Sequence, residues 1–234
     1  MAAEVKAQRS YESPRRREQA QATRRAILDA ARLLFERDGY VATSVPAIAE
    51  EARVAVKTVY LAFRTKSQLL RAVWDLALKG DEDDAPVAER PWYQEVLAEP
   101  DPHRQVRLIA HNSVLVKMRI AGLLRVIRDA APSDAEIADL WNLIQSDFYA
   151  NQRTLVESLD RKRALASGLD VVAATDLLWT FNHPDVWLLL AGARGWSPDR
   201  FEEWFADTAI TQLLGDAPRP GPVASQRSRK AAKP

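Results

Sequence analysis

The chain has 234 residues, 47% of them apolar, with 33 Lys/Arg against 32 Asp/Glu and no cysteine. That is enough apolar material for a buried core in one or two domains, and it excludes disulfides, thiolate nucleophiles and cysteine-ligated metals. No apolar run approaches the roughly 18–20 residues that cross a bilayer, and the N-terminal segment lacks a signal peptide's apolar core, so a soluble cytoplasmic protein is expected.

Glycine is scarce, prolines fall between periodic stretches, and no Asn-Gly or Asp-Gly hairpin signal occurs, so an all-α fold is predicted. Residues 1–25 carry seven Lys/Arg against three Asp/Glu, and 1–22 read as a flexible basic arm containing Arg15, Arg16 and Arg17. Ile27, Ala31, Leu34 and Phe35 recur at i, i+4, i+7 and i+8, an amphipathic helix closing near Gly39. Ser44 caps a second helix, with Pro46 in its first turn and Val45, Ile48, Ala49 and Ala52 on one face.

The run "RVAVKTVYLAFRTK", Arg53 to Lys66, is rich in β-branched residues, yet Val56, Val59, Tyr60 and Phe63 keep helical spacing. It therefore reads as a short third helix packed by those four residues. Thr65 with Gln68 forms a capping box for a fourth helix, Lys66 to about Leu78. Residues 23–79 make a helix-turn-helix unit with a connecting fourth helix, and 80–91 an acidic, proline-bounded linker.

Residues 92–215 read as a larger helical domain. One helix opens at Asp101-Pro102, breaks near Gly122 and ends before Pro132. The next starts from a Ser133/Glu136 capping box and buries Ile137, Leu140, Trp141, Ile144, Phe148, Leu155 and Leu159. A third runs from Gly168-Leu169-Asp170 to about Ala191, kinked at Asn182-His183-Pro184, and the last from Ser197-Pro198 to about Leu214. Residues 216–234, five Lys/Arg against one Asp, form a disordered basic tail. Removing both basic ends leaves 26–215 with 21 positive and 28 negative charges, net −7.

Here a resemblance becomes specific. Ala30-Ala31, Phe35, Gly39-Tyr40, Thr43-Ser44, Ile48-Ala49, Thr58-Val59-Tyr60, Phe63, Lys66 and Leu69-Leu70 follow in order the pattern of tetracycline-repressor (TetR-type) DNA-binding domains. The match resembles that family over roughly a fifth of the chain; the remainder is similar to its all-helical regulatory domain in length and helix count. Independently of the family, Lys57, Thr58 and Leu61 project from the third helix, which fits a major groove. The resemblance implies phosphate contacts from Thr43, Tyr60 and Lys66, assisted by Ser44 and the helix amide ends. Arg15, Arg16 and Arg17 suit an arm that follows phosphates or enters the minor groove. Two departures stand out. Arg53 occupies the turn where the family usually has glycine, and a positive φ there costs about 1–2 kcal/mol; a phosphate contact by its guanidinium would recover it. Pro46 removes one base-contacting position.

The resemblance also implies a homodimer on a palindromic operator, through a four-helix interface built from the last two helices and containing Leu177, Phe181, Trp187, Phe205 and Ile210. It further implies an effector pocket among the central helices, for which His111, Arg119, Trp141, Gln145, Phe148, Tyr149 and Trp179 are the candidates. Their character favours an apolar or aromatic small molecule. No cofactor and no metal are expected, because His111 and His183 stand too far apart for a cluster. "HPD" is discounted as a catalytic pair, since neighbours in a helix face apart. The expected function is a ligand-responsive regulator, a repressor and not an enzyme. The alternative is a sequence-tolerant architectural DNA-binding protein without effector control, using its basic ends.

Overall fold

The computed structural model describes residues 14–80 and 87–214; the acidic stretch 81–86 and the basic tail, predicted as linker and disorder, lie outside the described residues. The first helix, α1, spans Pro14–Asp38 and ends where Gly39 takes φ 83, a left-handed turn. Arg15, Arg16 and Arg17 are therefore in its first turns rather than in an arm reaching to residue 22, with Pro14 at the helix start, where a missing N–H costs nothing.

Helix α2 (Val45–Glu51) is capped by Ser44, whose hydroxyl accepts from the Ala47 amide at 3.2 Å. Helix α3 (Val56–Ala62) follows, then α4 (Lys66–Lys79), capped by Thr65 accepting from Gln68 N at 3.0 Å. The predicted packing of α3 is half right. Val59 and Phe63 are buried, but Val56 is 38% and Tyr60 50% exposed. A seven-residue helix on the edge of the core has room to bury one i, i+4 pair, and its first turn overhangs.

After α5 (Pro91–Ala98), α6 runs unbroken from Pro102 to Ala130. No break occurs at Gly122: a Cβ there would sit 3.1 Å from Glu36 Oε1 of α1, so the glycine marks a close approach. Helix α7 (Ala135–Arg161) is capped by Asp134, not Ser133, with the Asp134 carboxylate accepting from Glu136 N at 3.0 Å and Ile137 N at 3.3 Å. The Glu136 side chain reaches instead to Ser67 on α4, whose hydroxyl donates at 2.5 Å.

The expected kinked helix is two pieces, α8 (Val171–Phe181) and α9 (Pro184–Trp187), continued by a π-helical turn, Leu188–Ala193. Pro184 supplies no amide and forces extended backbone on His183, which caps α9 through its Nδ1 (3.2 Å from Asp185 N). Because His183 stands outside the helix, its ring does approach Asp185, at 3.6 Å. Helix α10 (Pro198–Leu213) closes the fold.

Two apolar cores form. One joins α1–α4 to the C-terminal half of α6 (Ile120–Ala130) and the start of α7 (Ile137, Leu140, Ile144). The other joins α5, the N-terminal half of α6, the end of α7 and α8–α10. Helices α6 and α7 thus serve both, and the seam crosses their middles rather than falling at the linker. Among the described residues no helix is long and apolar enough to cross a membrane.

Candidate nucleic-acid interface and ligand cavity

The turn between α2 and α3 shows how the first site is shaped. Arg53 N donates to Glu50 O (3.0 Å) and Val54 N to Ala49 O (2.9 Å), the paired bonds of a Schellman ending. Its left-handed residue is Arg53 itself, at φ 56. So the position does require positive φ, and the chain places an exposed arginine there at a cost of about 1–2 kcal/mol.

Around this turn Ser44, Arg53, Lys57, Tyr60 and Leu61 are exposed and Thr58 is half-buried. Arg24 of α1 holds α3 in place, its guanidinium 4.3 Å from the Phe63 ring centre. Two residues expected to touch phosphate are otherwise engaged. Thr43 is buried, and its hydroxyl donates to Gly39 O at 2.7 Å and is 3.2 Å from Leu34 O. Lys66 turns inward, donating to Tyr40 O (2.9 Å) and Thr43 O (3.0 Å) over the Tyr40 ring. Burial lowers its pKa, with Asp134 partly opposing. Both tie the α1–α2 loop together. Tyr40 continues the connection, its hydroxyl donating to Asp134 Oδ2 at the head of α7, 2.7 Å away. Desolvation first, then that carboxylate, raises the phenol's pKa.

The second site is a cavity of about 260 Å³ between α4, α5, α6 and α7, closed by Asn182 and Pro184. Trp74, Trp92, Ile120, Leu140 and Phe148 make apolar wall, while Arg71, Asp75 and Asp147 stand on its exposed rim. Of the predicted pocket residues, Gln145 and Phe148 line it. The other five do not. His111 pairs with Glu202 of α10 on the surface, Nδ1 3.1 Å from Oε2. Arg119 donates to the C-terminal carbonyl of Ala77 at 3.3 Å, Trp141 packs on the first core, and Tyr149 donates to Asp176 at 3.0 Å. Trp179 lies edge-on to His183, with ring centres 4.9 Å apart.

The polar floor of the cavity escaped the sequence reading. Lys117 of α6 is 3% exposed and donates to Asn182 Oδ1; Asn182 Nδ2 donates to Gln152 Oε1 at 2.9 Å. Burial alone pushes the Lys117 pKa down to about 7. A signal was present: Lys117 stands three residues after Val114 and seven before Leu124, inside the apolar stripe of α6. Among the candidate interface residues, Leu177, Phe181 and Ile210 are half-buried, but Trp187 and Phe205 are buried in the second core. Phe205 is fully buried, and Trp187 packs edge-on against Phe201 at 5.0 Å.

Residues 27–73 match the family model for bacterial regulatory proteins of the tetR family. The chain carries a tetR-family N-terminal domain. A 61-residue stretch is 39% identical to the HTH-type transcriptional regulator AcrR of Shigella flexneri, covering 26% of this chain and 28% of that protein. Beyond the tetR domain, likeness is of fold. A SmeT–triclosan complex superposes with TM-score 0.66 at 19% identity over 87% of this chain and all of that one. NalD, the secondary repressor of the MexAB-OprM efflux pump of Pseudomonas aeruginosa, gives TM-score 0.62 at 24% identity over 85% of this chain and all of NalD.

Proposed function

We infer that this chain is a ligand-responsive transcriptional repressor that binds a palindromic operator as a homodimer and is released by a small molecule. One observation carries the reading: α4, which anchors the helix-turn-helix unit, is also a wall of the cavity through Trp74 and Leu78. A molecule that fills the cavity differently in two positions of α4 biases the equilibrium between them. Dimeric heads read half-sites about 34–36 Å apart or multiples of it, so a small shift of α4 moves them out of register.

Arg53, Lys57, Thr58, Tyr60 and Leu61 form the DNA-facing surface, with Arg15, Arg16 and Arg17 extending it along α1 and Ser44 positioning α2. Thr43 and Lys66 support that surface from inside. Helices α8 and α10, with Leu177, Phe181 and Ile210, supply the dimer face. The apolar walls suit an aromatic effector of the kind triclosan represents in the SmeT complex, and cytoplasmic residence follows from such a role. The test is selection of bound sequences from random DNA, then anisotropy titration of the selected operator. Thr58→Ala or Tyr60→Ala should abolish operator binding while sedimentation still reports a dimer. Equal operator affinity in both variants overturns the reading.

A further inference from the structure

The cavity floor is richer in donors than its surroundings require. An ammonium group has three donors, and among the described residues Lys117 spends one, on Asn182 Oδ1. Asn182 cannot turn to offer more, because its Nδ2 is committed to Gln152 Oε1 and so fixes the amide's orientation. Gln152 Nε2 reaches only a distant carbonyl, Phe148 O at 3.4 Å. Three side chains from α6, α7 and the break after α8 thus converge on the cavity with surplus N–H groups and no free carbonyl between them.

The rest of the environment makes this costly. Lys117 is flanked by the rings of Phe201 and Phe205, their centres 5.7 and 5.6 Å from Nζ, and no carboxylate of the described residues pairs with it. A buried ammonium without a counter-ion is unfavourable, and an apolar side chain of similar length would fill the same place without that cost. The carboxylates that do line the cavity are Asp147, on its exposed rim, and Asp75, one helical turn from Arg71. The accessible edge of Asp75 is exposed, while burial of the rest raises its pKa.

We propose that the effector of this chain is an organic anion, an apolar body of one or two rings or a comparable chain bearing a carboxylate, received by Lys117, Gln152 and Asn182 at the floor of the cavity. This rests on the reading above that the cavity is the effector site, and it names the chemistry of what enters. The volume limits the body, since about 260 Å³ is below the usual ligand-site range of roughly 300–1,000 Å³. The apolar walls take the body, and the anion supplies the missing counter-charge where low polarity strengthens the pair.

The test uses the full chain and three matched pairs: benzoate, 2-naphthoate and decanoate, each against its neutral amide, by titration calorimetry at pH 7. The carboxylate is expected to bind at least tenfold tighter than its amide in at least one pair. Lys117→Gln should collapse that ratio to within twofold, and Lys117→Arg should preserve it. Amides binding as well as acids overturns the proposal, as does binding of none of the six or a preference that survives in Lys117→Gln. Operator release, followed in parallel by anisotropy, separates the two readings. Amides that bind and release the operator without any acid preference leave the regulator standing and remove the anion. A saturated cavity with the operator still bound overturns the regulator instead.

Discussion

Lys66 is half-buried and Lys117 almost fully buried, and they meet different company. Lys66, in the DNA-binding head, closes onto two backbone carbonyls and an aromatic face. Lys117, on α6, has one amide oxygen, two more distant rings and an open cavity beside it. Desolvation lowers both pKa values, but only Lys117 is driven to about 7. Deeper burial accounts for the larger shift of Lys117, and the acceptors differ as well: Lys66 has two carbonyls, Lys117 a single amide oxygen.

The largest test of this contrast is pH. The folded-state pKa of Lys117, about 7, is below its ordinary value of 10.5, so between those limits the unfolded chain binds a proton that the folded chain does not. Stability from this group therefore rises with pH across that window and is lowest below pH 7, by on the order of 1 kcal/mol per pH unit. Urea unfolding at pH 7 and 9.5 should show wild type gaining on Lys117→Met, and parallel profiles would remove the contrast. Next in size, Lys66→Met leaves two carbonyls without their donor and should cost about 2 kcal/mol. Lys117→Met orphans one oxygen but also removes a desolvated charge, and should cost less than half as much in the same thermal melts.

Tyr40→Phe removes the bond to Asp134 that joins the head to α7, a loss of about 1 kcal/mol. It should also reduce the change in operator affinity that a cavity ligand produces, measured by anisotropy with and without ligand. The smallest effects concern a second pair of like residues. Arg53 (φ 56) and Arg163 (φ 55) both hold the left-handed position of Schellman endings, Arg163 through Ala164 N to Leu159 O at 3.1 Å. Glycine at either should stabilise the chain by about 0.5–1 kcal/mol. Only Arg53→Gly should weaken operator binding, and equal operator affinity would make Arg53 a turn residue and nothing more.

Much of this was legible from spacing and cap chemistry. The 3.6-residue period of the head, the Ser44 and Thr65 caps and the proline-led starts of α6 and α10 are local signals, and they survive folding. The errors arise where the meaning of a residue depends on a distant one. Thr43 and Lys66 look like surface residues until the α1–α2 loop folds over them, and Glu136 looks like a capping residue until Ser67 arrives from α4. Gly122 reads as a helix breaker, but its role is set by Glu36 across the interface. Phe205 and Trp187 read as interface because aromatic content does not say which side of a helix is already covered.

The unbroken course of α6 ties the cavity mechanically to the first helix. Within six residues it presents Lys117 and Ile120 to the cavity, the Arg119 carbonyl to Arg32 of α1 at 2.7 Å, and Gly122 to Glu36. The cavity wall and the contact with α1 therefore rest on one unbroken helix. A methyl group at Gly122 would press on Glu36, so a change at a position outside the cavity lining still bears on how α1 sits against the helix that walls the cavity.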